Sequence, residues 1–458
     1  MERSDDVAPP ATPARPDVRR TALWIYLACV LVYALVMGAA RLRFHSENNH
    51  FSYLADAYLH GTLSVRCDPA LTHGATCPPG GGGNDWARYH GRWFVAFPSF
   101  PAVLYMPAVA LFGRNFANGP LDALLAGIAP ALLYVFLERL ARKGYSSRSW
   151  KENVGLSLLF AFGTVYFYTA VQCSVWFVAH VVGCGLGAGF LLAAFECERP
   201  ALAGALLGLS FHSRTSTIFS AFFFGLEALR VHRLAEQPAV ADDASAATRF
   251  IAYLRGVDWR PAVMKVLRFS APLLALIGVY MLLNKLRFDD WRDPGYQYLQ
   301  IRWQARIQRW GLFNYHYLSR NLAVVLALLP WATRAAPFVQ ISRHGLALWF
   351  TTPHYLELLR PARTHTAVWS FGVTAAIIAT VDLLYQNSGW VQFGYRFSND
   401  YALFLVAILA ITGRRIGKAW IAVLALAVGI NLFGAITFER GGAIYQGDND
   451  SNGMFQAD

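Results

Sequence analysis

The sequence predicts an all-α protein that crosses a membrane many times. Of its 458 residues, 55% are hydrophobic and 15% are charged. Several uninterrupted apolar runs reach about 20 residues, the length that a helix needs to cross hydrocarbon. No long stretch alternates with period two, as the strands of a transmembrane barrel do. We therefore expect a polytopic transmembrane helical bundle with about 10–11 spans, a large first periplasmic loop and interfacial helices.

The chain divides at its first span, residues 21–40. Residues 1–20 are rich in Pro, Ala and Asp, a composition typical of a disordered leader, here on the cytoplasmic side. No small-residue cleavage site precedes the following loop, so we expect the span to stay as an anchor. Residues 21–458 then form a single transmembrane domain. It includes a first periplasmic loop at 41–119 and a basic, aromatic periplasmic loop at 286–345.

Basic residues in short loops predict the orientation, because such loops stay cytoplasmic. Arg19 and Arg20 place the N-terminus inside, and a basic cluster follows the span at 121–140. The proline-rich stretch 97–113 must then lie in the outer interface without crossing. Further spans are predicted at 153–171, 174–195, 269–286, 346–359, 366–385, 401–412 and 419–438.

Polar residues interrupt the apolar stretch 201–229 near its middle. We expect two short helices that meet at a polar tip and have both ends on the cytoplasmic side. An ionisable group at such a tip indicates a functional site, and a guanidinium binds phosphate bidentately. Arg214 is therefore the candidate phosphate ligand. His212 either assists it or satisfies exposed backbone.

The loop at 286–345 is unusually basic for a translocated segment. Between Lys285 and Gly345 lie nine basic and three acidic residues, interleaved with Trp and Tyr. The loop is either a surface that meets phosphate headgroups or a phosphate-linked substrate, or a solvated loop with interfacial aromatic residues. Nucleic acid is not an expected partner of a chain that is otherwise embedded in lipid.

Cys67 and Cys77 lie in the predicted first periplasmic loop. Isolated cysteines in an oxidising compartment usually pair, so we expect a disulfide between them. No His or Asp cluster has the spacing of metal ligands. The sequence thus requires no cofactor, and a divalent metal is possible but unsupported.

Residues 47–61, ENNHFSYLADAYLHG, resemble the first external loop of GT-C type glycosyltransferases. These include protein O-mannosyltransferases and the aminoarabinose transferases that modify lipid A. In these families an acid, often one of a pair, lies just past the first span. Glu47 takes that place, and Asn48 stands where the second acid is usual. Residues 97–113 resemble the juxtamembrane helix of these enzymes, residues 206–214 their broken helix, and 84–86, 344–348 and 390–396 have counterparts in bacterial members.

The resemblance implies an integral membrane glycosyltransferase of the bacterial inner membrane. It would move a sugar from a polyprenyl-phosphate-linked donor to a glycan, lipid or protein acceptor of the cell envelope, at the periplasmic face. Such a reaction needs a base and a group that holds the anionic leaving group. Glu47 and Asp56 are the catalytic candidates, although helical spacing would put them about 180° apart. The substrate-binding candidates are Asn48, Asn49, His50, His212, Arg214 and Arg396.

Several alternatives stay open at this point. Asp56 could be a helix surface or cap residue. Arg396 could anchor a span end or pair with Asp400. A transporter or flippase of lipid-linked saccharides would also use Arg at a broken helix, but it would show matching breaks in two halves. Asn48 at the position of the second acid leaves an inactive GT-C-like relative as another alternative.

Overall fold

The chain folds into a bundle of helices with two short hairpins, which confirms the predicted all-α class. The structure is a computed structural model that describes residues 15–46, 48–67, 77–79, 83–236, 241, 243–301, 303–363 and 365–445. Its helices are α1 Val18–Arg43, α2 His50–Leu59, α3 Phe100–Phe112, α4 Gly119–Ala126, α5 Ile128–Arg142, α6 Trp150–Phe162, α7 Tyr166–Ala170, α8 Val175–Ala194, α9 Pro200–Phe211, α10 Ala221–Val231, α11 Ala246–Arg255, α12 Trp259–Phe288, α13 Gln304–Trp310, α14 Leu318–Ala327, α15 Leu348–Thr351, α16 Ala367–Leu383, α17 Asn399–Thr412 and α18 Lys418–Thr437. Strands β1 Trp86–Tyr89 and β2 Arg92–Val95 form one antiparallel hairpin, and β3 Trp331–Ala332 and β4 Val339–Gln340 form another.

Among the described residues, five helical stretches are long and apolar enough to cross a membrane. They are Val18–Arg43, Gly119–Arg142, Val175–Cys197, Trp259–Phe288 and Lys418–Thr437. Shorter apolar helices such as α9 pack against them. The chain is thus a multi-pass helical membrane protein, and the count of about 10–11 spans stays a prediction.

Helix α1 begins at Val18, inside the predicted leader. Asp17 caps the helix by accepting a hydrogen bond from the backbone N of Arg19. Arg15 donates to Glu138 at 2.8 Å, which ties the approach to α1 against α5. The N-cap at Asp17 and the ion pair of Arg15 therefore hold residues that the sequence assigned to the leader. Residues 1–14 lie outside the described part of the chain.

The predicted break within 201–229 is present. Helices α9 and α10 meet at a turn of 3-10 helix, Thr215–Ser220. Helix α9 packs against α8 and α12. The contact with α12 is so close that a Cβ on Gly204 would lie 1.9 Å from the carbonyl oxygen of Phe269. Glycine at position 204 therefore allows α9 to pack closely against α12. This close packing determines where the polar tip between α9 and α10 lies.

The segment predicted as a span at 346–359 is not one continuous helix. It forms α15 and then a 3-10 stretch, Pro353–Leu359. Pro353 has no backbone N–H to continue the helical hydrogen bonds. The segment runs along α18, where Asn431 donates to the carbonyl of Thr351 at 2.7 Å and His354 Nε2 lies 3.3 Å from the carbonyl of Trp420.

Two loops share one end of the bundle, which we call the loop end. The first loop, residues 44–118, contains α2, the β1–β2 hairpin and α3, and the second loop comprises residues 289–347. The backbone N of Gln300 donates to the carbonyl of Trp86 at 3.1 Å, joining the two loops. Cys67 and Cys77 form the predicted disulfide within the first loop.

The basic clusters at 139–151 and 360–363 share the opposite end, which we call the far end. Ser146 donates to the carbonyl of Ala410 at 2.7 Å, and Arg363 donates to Ser147 at 2.8 Å. The grouping of these clusters agrees with the charge pattern on which the predicted orientation rests. The orientation itself stays a prediction.

Candidate active site

A cavity of about 710 Å³ opens at the loop end. It is lined by the first loop, the start of α8, the α9–α10 tip, residues 294–313 and residues 382–397. Its volume lies in the range of small-molecule binding sites. Three of the predicted site residues, Asn48, Arg214 and Arg396, line this one cavity.

Arg214 reaches the cavity wall from the polar tip and is paired with an acid. Its Nη2 donates to Asp400 at 2.6 Å and its Nε donates to both oxygens of the same carboxylate at 3.2 Å. Ser216 also donates to Asp400, at 2.5 Å, and His180 Nδ1 lies 3.0 Å from it. Gly183 in α8 makes room, since a Cβ there would lie 3.1 Å from Arg214 Cγ. The charge of Arg214 is therefore largely matched before any ligand binds.

Arg396 presents a second guanidinium, for which the described residues supply no acid within ion-pair distance. It is 7% exposed, and its Nη1 donates to the carbonyls of Gly389 and, at 2.9 Å, Val391. Its Nε is buried without a hydrogen-bond partner among the described residues. The described part of the chain also places no carboxylate within 4 Å of this guanidinium. Burial lowers the pKa of Arg396 to about 10, so it is still a cation at neutral pH. An anion in the cavity would supply the missing counter-charge.

Asp85 supplies a carboxylate that the choice of site residues from sequence missed. It lines the cavity and accepts a hydrogen bond from Trp176 Nε1 at 2.6 Å. Burial raises its pKa, while Trp176 and the positive charge of Arg396 act in the opposite direction. Asn84 and Asp85 both have positive φ, 62° and 67°, which aims this turn at the cavity. The only sequence signal was the resemblance at residues 84–86.

The residues after the first span are divided between the cavity wall and its support. Asn48 lines the cavity, and its carbonyl accepts from the backbone N of Val175 at 3.0 Å. His50 lies behind this wall, stacked on Trp86 with ring centroids 3.9 Å apart. Its ring nitrogens face the carbonyls of Asn48 and Asn84, at 3.2 and 2.7 Å. Burial lowers the pKa of His50 to about 4, so the ring is neutral and supports the wall by one N–H donor.

The structure places three other candidates away from the cavity lining. Asp56 pairs with Arg66 at 3.2 Å, and Arg114 lies 3.9 Å from its other oxygen. His212 lies 3.4 Å from the hydroxyl of Ser99 and 2.8 Å from the carbonyl of Leu276, so it joins α9 to its neighbours. Asn49 is fully buried, and its side-chain amide has no partner among the described residues. Glu47 lies outside the described residues.

Asp382 is a further acid in the wall of the cavity. It is 4% exposed, and its Oδ2 has no hydrogen-bond partner in the described part of the chain. An unpaired buried carboxylate is costly, so a donor from a ligand would stabilise it. No group of three or more His, Cys, Asp or Glu side chains that could hold a metal ion occurs among the described residues.

No protein-family model matches this chain, and no curated protein matches it. Solved structures similar to it include ArnT from Cupriavidus metallidurans bound to undecaprenyl phosphate, with 12% identity and a TM-score of 0.45, covering 88% of this chain and 62% of that one. The oligosaccharyltransferase of Archaeoglobus fulgidus in the apo form has 12% identity and a TM-score of 0.39, with 90% and 55% covered. AglB from the same organism, in complex with an inhibitory peptide and a dolichol-phosphate, has 12% identity and a TM-score of 0.40, with 93% and 56% covered.

This chain thus spans between just over half and 62% of the length of these structures. The polytopic helical architecture is in keeping with the GT-C-like fold that the sequence resemblance implies. At this level of similarity the neighbours give no evidence about the activity of this chain. Its function is therefore inferred from the residues of the cavity.

Proposed function

We propose that the chain is a membrane glycosyltransferase that moves a sugar from a polyprenyl-phosphate-linked donor to an acceptor hydroxyl at the periplasmic face. The observation that carries this proposal is Arg396, a buried cation that has no acid partner among the described residues and lies in the wall of a cavity that also holds Asp85. A guanidinium is suited to a phosphate leaving group, and a carboxylate to a proton acceptor.

The proposed step is a substitution at the anomeric carbon of the donor sugar. The acceptor oxygen forms a new bond to this carbon as the bond to the phosphate oxygen breaks, and that bond's electron pair leaves with the lipid phosphate. Arg396 stabilises the phosphate, with Arg214 beside it. The acceptor proton passes to a carboxylate, either Asp85 or Glu47, whose neighbour Asn48 lines the cavity. This step needs no metal.

The lipid phosphates bound to two of the similar structures suggest a probe. ArnT was solved with undecaprenyl phosphate, and AglB with a dolichol-phosphate. We take undecaprenyl-phosphate sugars as the first donors to test, because the resemblance points to a bacterial enzyme. The bacterial inner membrane is the proposed location.

The experiment measures release of the lipid phosphate by the purified full-length protein in lipid nanodiscs. Arg396→Met should lower the rate of release by about 10- to 100-fold, because a hydrogen bond to a charged group is worth about 1.5–3 kcal/mol. Asp85→Asn and Glu47→Gln test the two bases, and the base variant should lose about 100-fold or more.

Two controls match these variants in chemistry and burial. Asp56→Asn removes a buried acid at the loop end that does not line the cavity. Arg287→Met removes a buried arginine whose Nη1 donates to the carbonyl of Val95. Both can reduce stability, but release per folded molecule should stay near the wild-type value. Wild-type release by Arg396→Met, Asp85→Asn and Glu47→Gln alike would refute the proposal, and so would movement of the intact lipid-linked sugar across the bilayer without release.

A further inference from the structure

The side chains that line the cavity divide by charge. Its charged groups come from the first loop, the α9–α10 tip, α16, Arg396 and Glu439. On two other stretches, 299–313 and 385–391, every lining residue that the structure describes is uncharged. We call the polar and aromatic part of these stretches the amide–aromatic face; it consists of Gln300, Trp303, Phe313, Tyr385, Gln386, Asn387 and Trp390.

The amide–aromatic face is built from two segments that hold each other. The backbone N of Gln386 donates to the carbonyl of Leu312 at 2.9 Å, and Arg306 donates to the carbonyl of Gln386 at 3.3 Å. The rings of Trp303 and Trp390 meet edge to face, with centroids 5.5 Å apart and planes at 85°. Both indoles are half-buried, so part of each ring borders the cavity.

Gln386 carries a hydrogen-bond acceptor that lacks a donor. The residue is 5% exposed, and its Oε1 is buried without a partner among the described residues. Leaving such an acceptor unpaired costs about 1–3 kcal/mol. The amide of Asn387 is held in one orientation, because its Oδ1 accepts from the backbone N of Gly389 at 2.7 Å and of Trp390 at 2.8 Å. A ligand hydroxyl would donate a hydrogen bond to Oε1 of Gln386, and another would contact the side-chain amide of Asn387.

The same loop also holds the proposed phosphate ligand. Arg396 donates to the carbonyls of Gly389 and Val391, the residues on either side of Trp390. A molecule bound on the amide–aromatic face therefore lies beside the guanidinium. In a glycosyl transfer that neighbouring molecule is the acceptor.

We propose that the amide–aromatic face is the acceptor subsite and that the acceptor is a neutral carbohydrate; this rests on the proposed function. Sugars offer hydroxyls to amide groups and apolar C–H faces to aromatic rings, the two kinds of group that this face supplies. Arg306 donates to the carbonyl of Gln386 and is not a lining residue, whereas an acceptor with its own phosphates would require cations that line this face.

Binding can be measured without donor turnover. Full-length protein in nanodiscs is titrated with maltohexaose, cellohexaose and mannohexaose by saturation-transfer NMR. At least one neutral hexasaccharide should bind saturably. Trp390→Ala should weaken that binding by about 10-fold, equivalent to about 1.4 kcal/mol. Trp291→Ala is the control, because Trp291 lies in the second loop together with Trp303, is 49% exposed and does not line the cavity.

Gln386→Leu tests the subsite with a variant that should stay folded. It keeps the volume and removes the unpaired acceptor, so it should raise or retain the unfolding temperature and still weaken hexasaccharide binding several-fold. A structural role for Gln386 would instead lower the unfolding temperature. Unchanged binding in both Trp390→Ala and Gln386→Leu overturns the subsite, as does the absence of binding by the wild type.

The two proposals fail in different ways. If lipid phosphate is released and peptide or lipid acceptors receive the sugar while no hexasaccharide binds, the acceptor proposal is wrong and the transferase proposal holds. If a hexasaccharide binds through Trp390 but no donor is cleaved, the transferase proposal is wrong, and the subsite as an acceptor site is wrong with it. Transfer to a hexasaccharide, with a KM for this acceptor that rises in Trp390→Ala, supports both.

Discussion

At the cavity wall, Asp85 accepts a hydrogen bond from Trp176 while burial raises its pKa. If Asp85 is the base, activity requires its charged form. The rate should therefore fall as the pH decreases through a midpoint above that of an exposed Asp. Trp176→Phe removes a donor that favours the charged form, so it should move this midpoint to higher pH. A pH–rate profile of lipid-phosphate release for both proteins measures the shift, and coincident profiles would exclude Asp85 as the base.

Asp85 should also change how the stability of the protein depends on pH. Because folding raises its pKa, folded Asp85 binds a proton more tightly than unfolded Asp85 does. Its contribution to stability is thus greatest at low pH and is lost as the pH rises through the folded pKa. Above that pKa, Asp85→Asn should unfold at an equal or higher temperature than the wild type while its activity falls. A structural carboxylate would show the opposite change in stability.

The two arginines in the cavity should respond differently to removal. Arg214→Met leaves the buried carboxylate of Asp400 without its cation, which typically costs about 3–5 kcal/mol. Arg396→Met leaves no ion-paired acid without its partner among the described residues. It should therefore be more stable than the Arg214 variant and lose mainly activity. Thermal unfolding and lipid-phosphate release, measured on the same samples, separate the two effects. The double variant Arg214→Met with Asp400→Asn should recover part of the lost stability, and failure to do so would contradict the paired role.

Residues of this kind differ in how visible they are in the sequence. Arg214 and Arg396 stand out because an ionisable group beside apolar segments is rare. Asp85 looks like any acid in a polar loop, and it becomes distinctive only through Trp176, 91 positions later in the chain. His50 follows the first span as the resemblance requires, but the ring of Trp86 turns it into the support of the wall. These outcomes depend on packing between distant segments.

At the scale of elements, the position of Arg214 depends on how closely α9 approaches α12. A Cβ on Gly204 would collide with the carbonyl of Phe269, whereas one on Gly278 of α12 would meet nothing within 4 Å. Gly204→Ala should therefore force the helices apart, lower the free energy of unfolding by about 1–3 kcal/mol and weaken donor binding through the displaced tip. Gly278→Ala is the matched control and should be neutral or slightly stabilising. Equal unfolding temperatures for the two variants would contradict this account.

The break between α9 and α10 was predictable, because polar residues interrupt the apolar run at a defined point. That α3 lies in the interface without crossing stays a prediction, which rests on its prolines. The break within 346–359 was not predicted, although Pro353 and the polar residues between Thr351 and Glu357 interrupt its apolar composition. Hydrogen bonds to Asn431 and near Trp420 hold it along α18. Such support from a neighbouring helix is not visible in the segment itself.

At the scale of the whole molecule, the cavity can act on a periplasmic donor only if the loop end faces the periplasm. The far end carries the basic clusters, and the charge rule places such clusters in the cytoplasm. Single cysteines can test this, because the native background is low: Cys67 and Cys77 are joined, and the four other cysteines are buried.

Exposed positions at each end supply the probes. His90→Cys lies in the turn of the β1–β2 hairpin at the loop end, and Lys151→Cys lies in the first turn of α6 at the far end. In spheroplasts of an expression host, a membrane-impermeant maleimide should label His90→Cys at once and Lys151→Cys only after permeabilisation. The unsubstituted protein should stay unlabelled in both conditions. The reverse pattern would put the cavity on the cytoplasmic side and would remove the periplasmic part of the proposed function, while leaving the chemistry of Arg396 and Asp85 open to the same release assay.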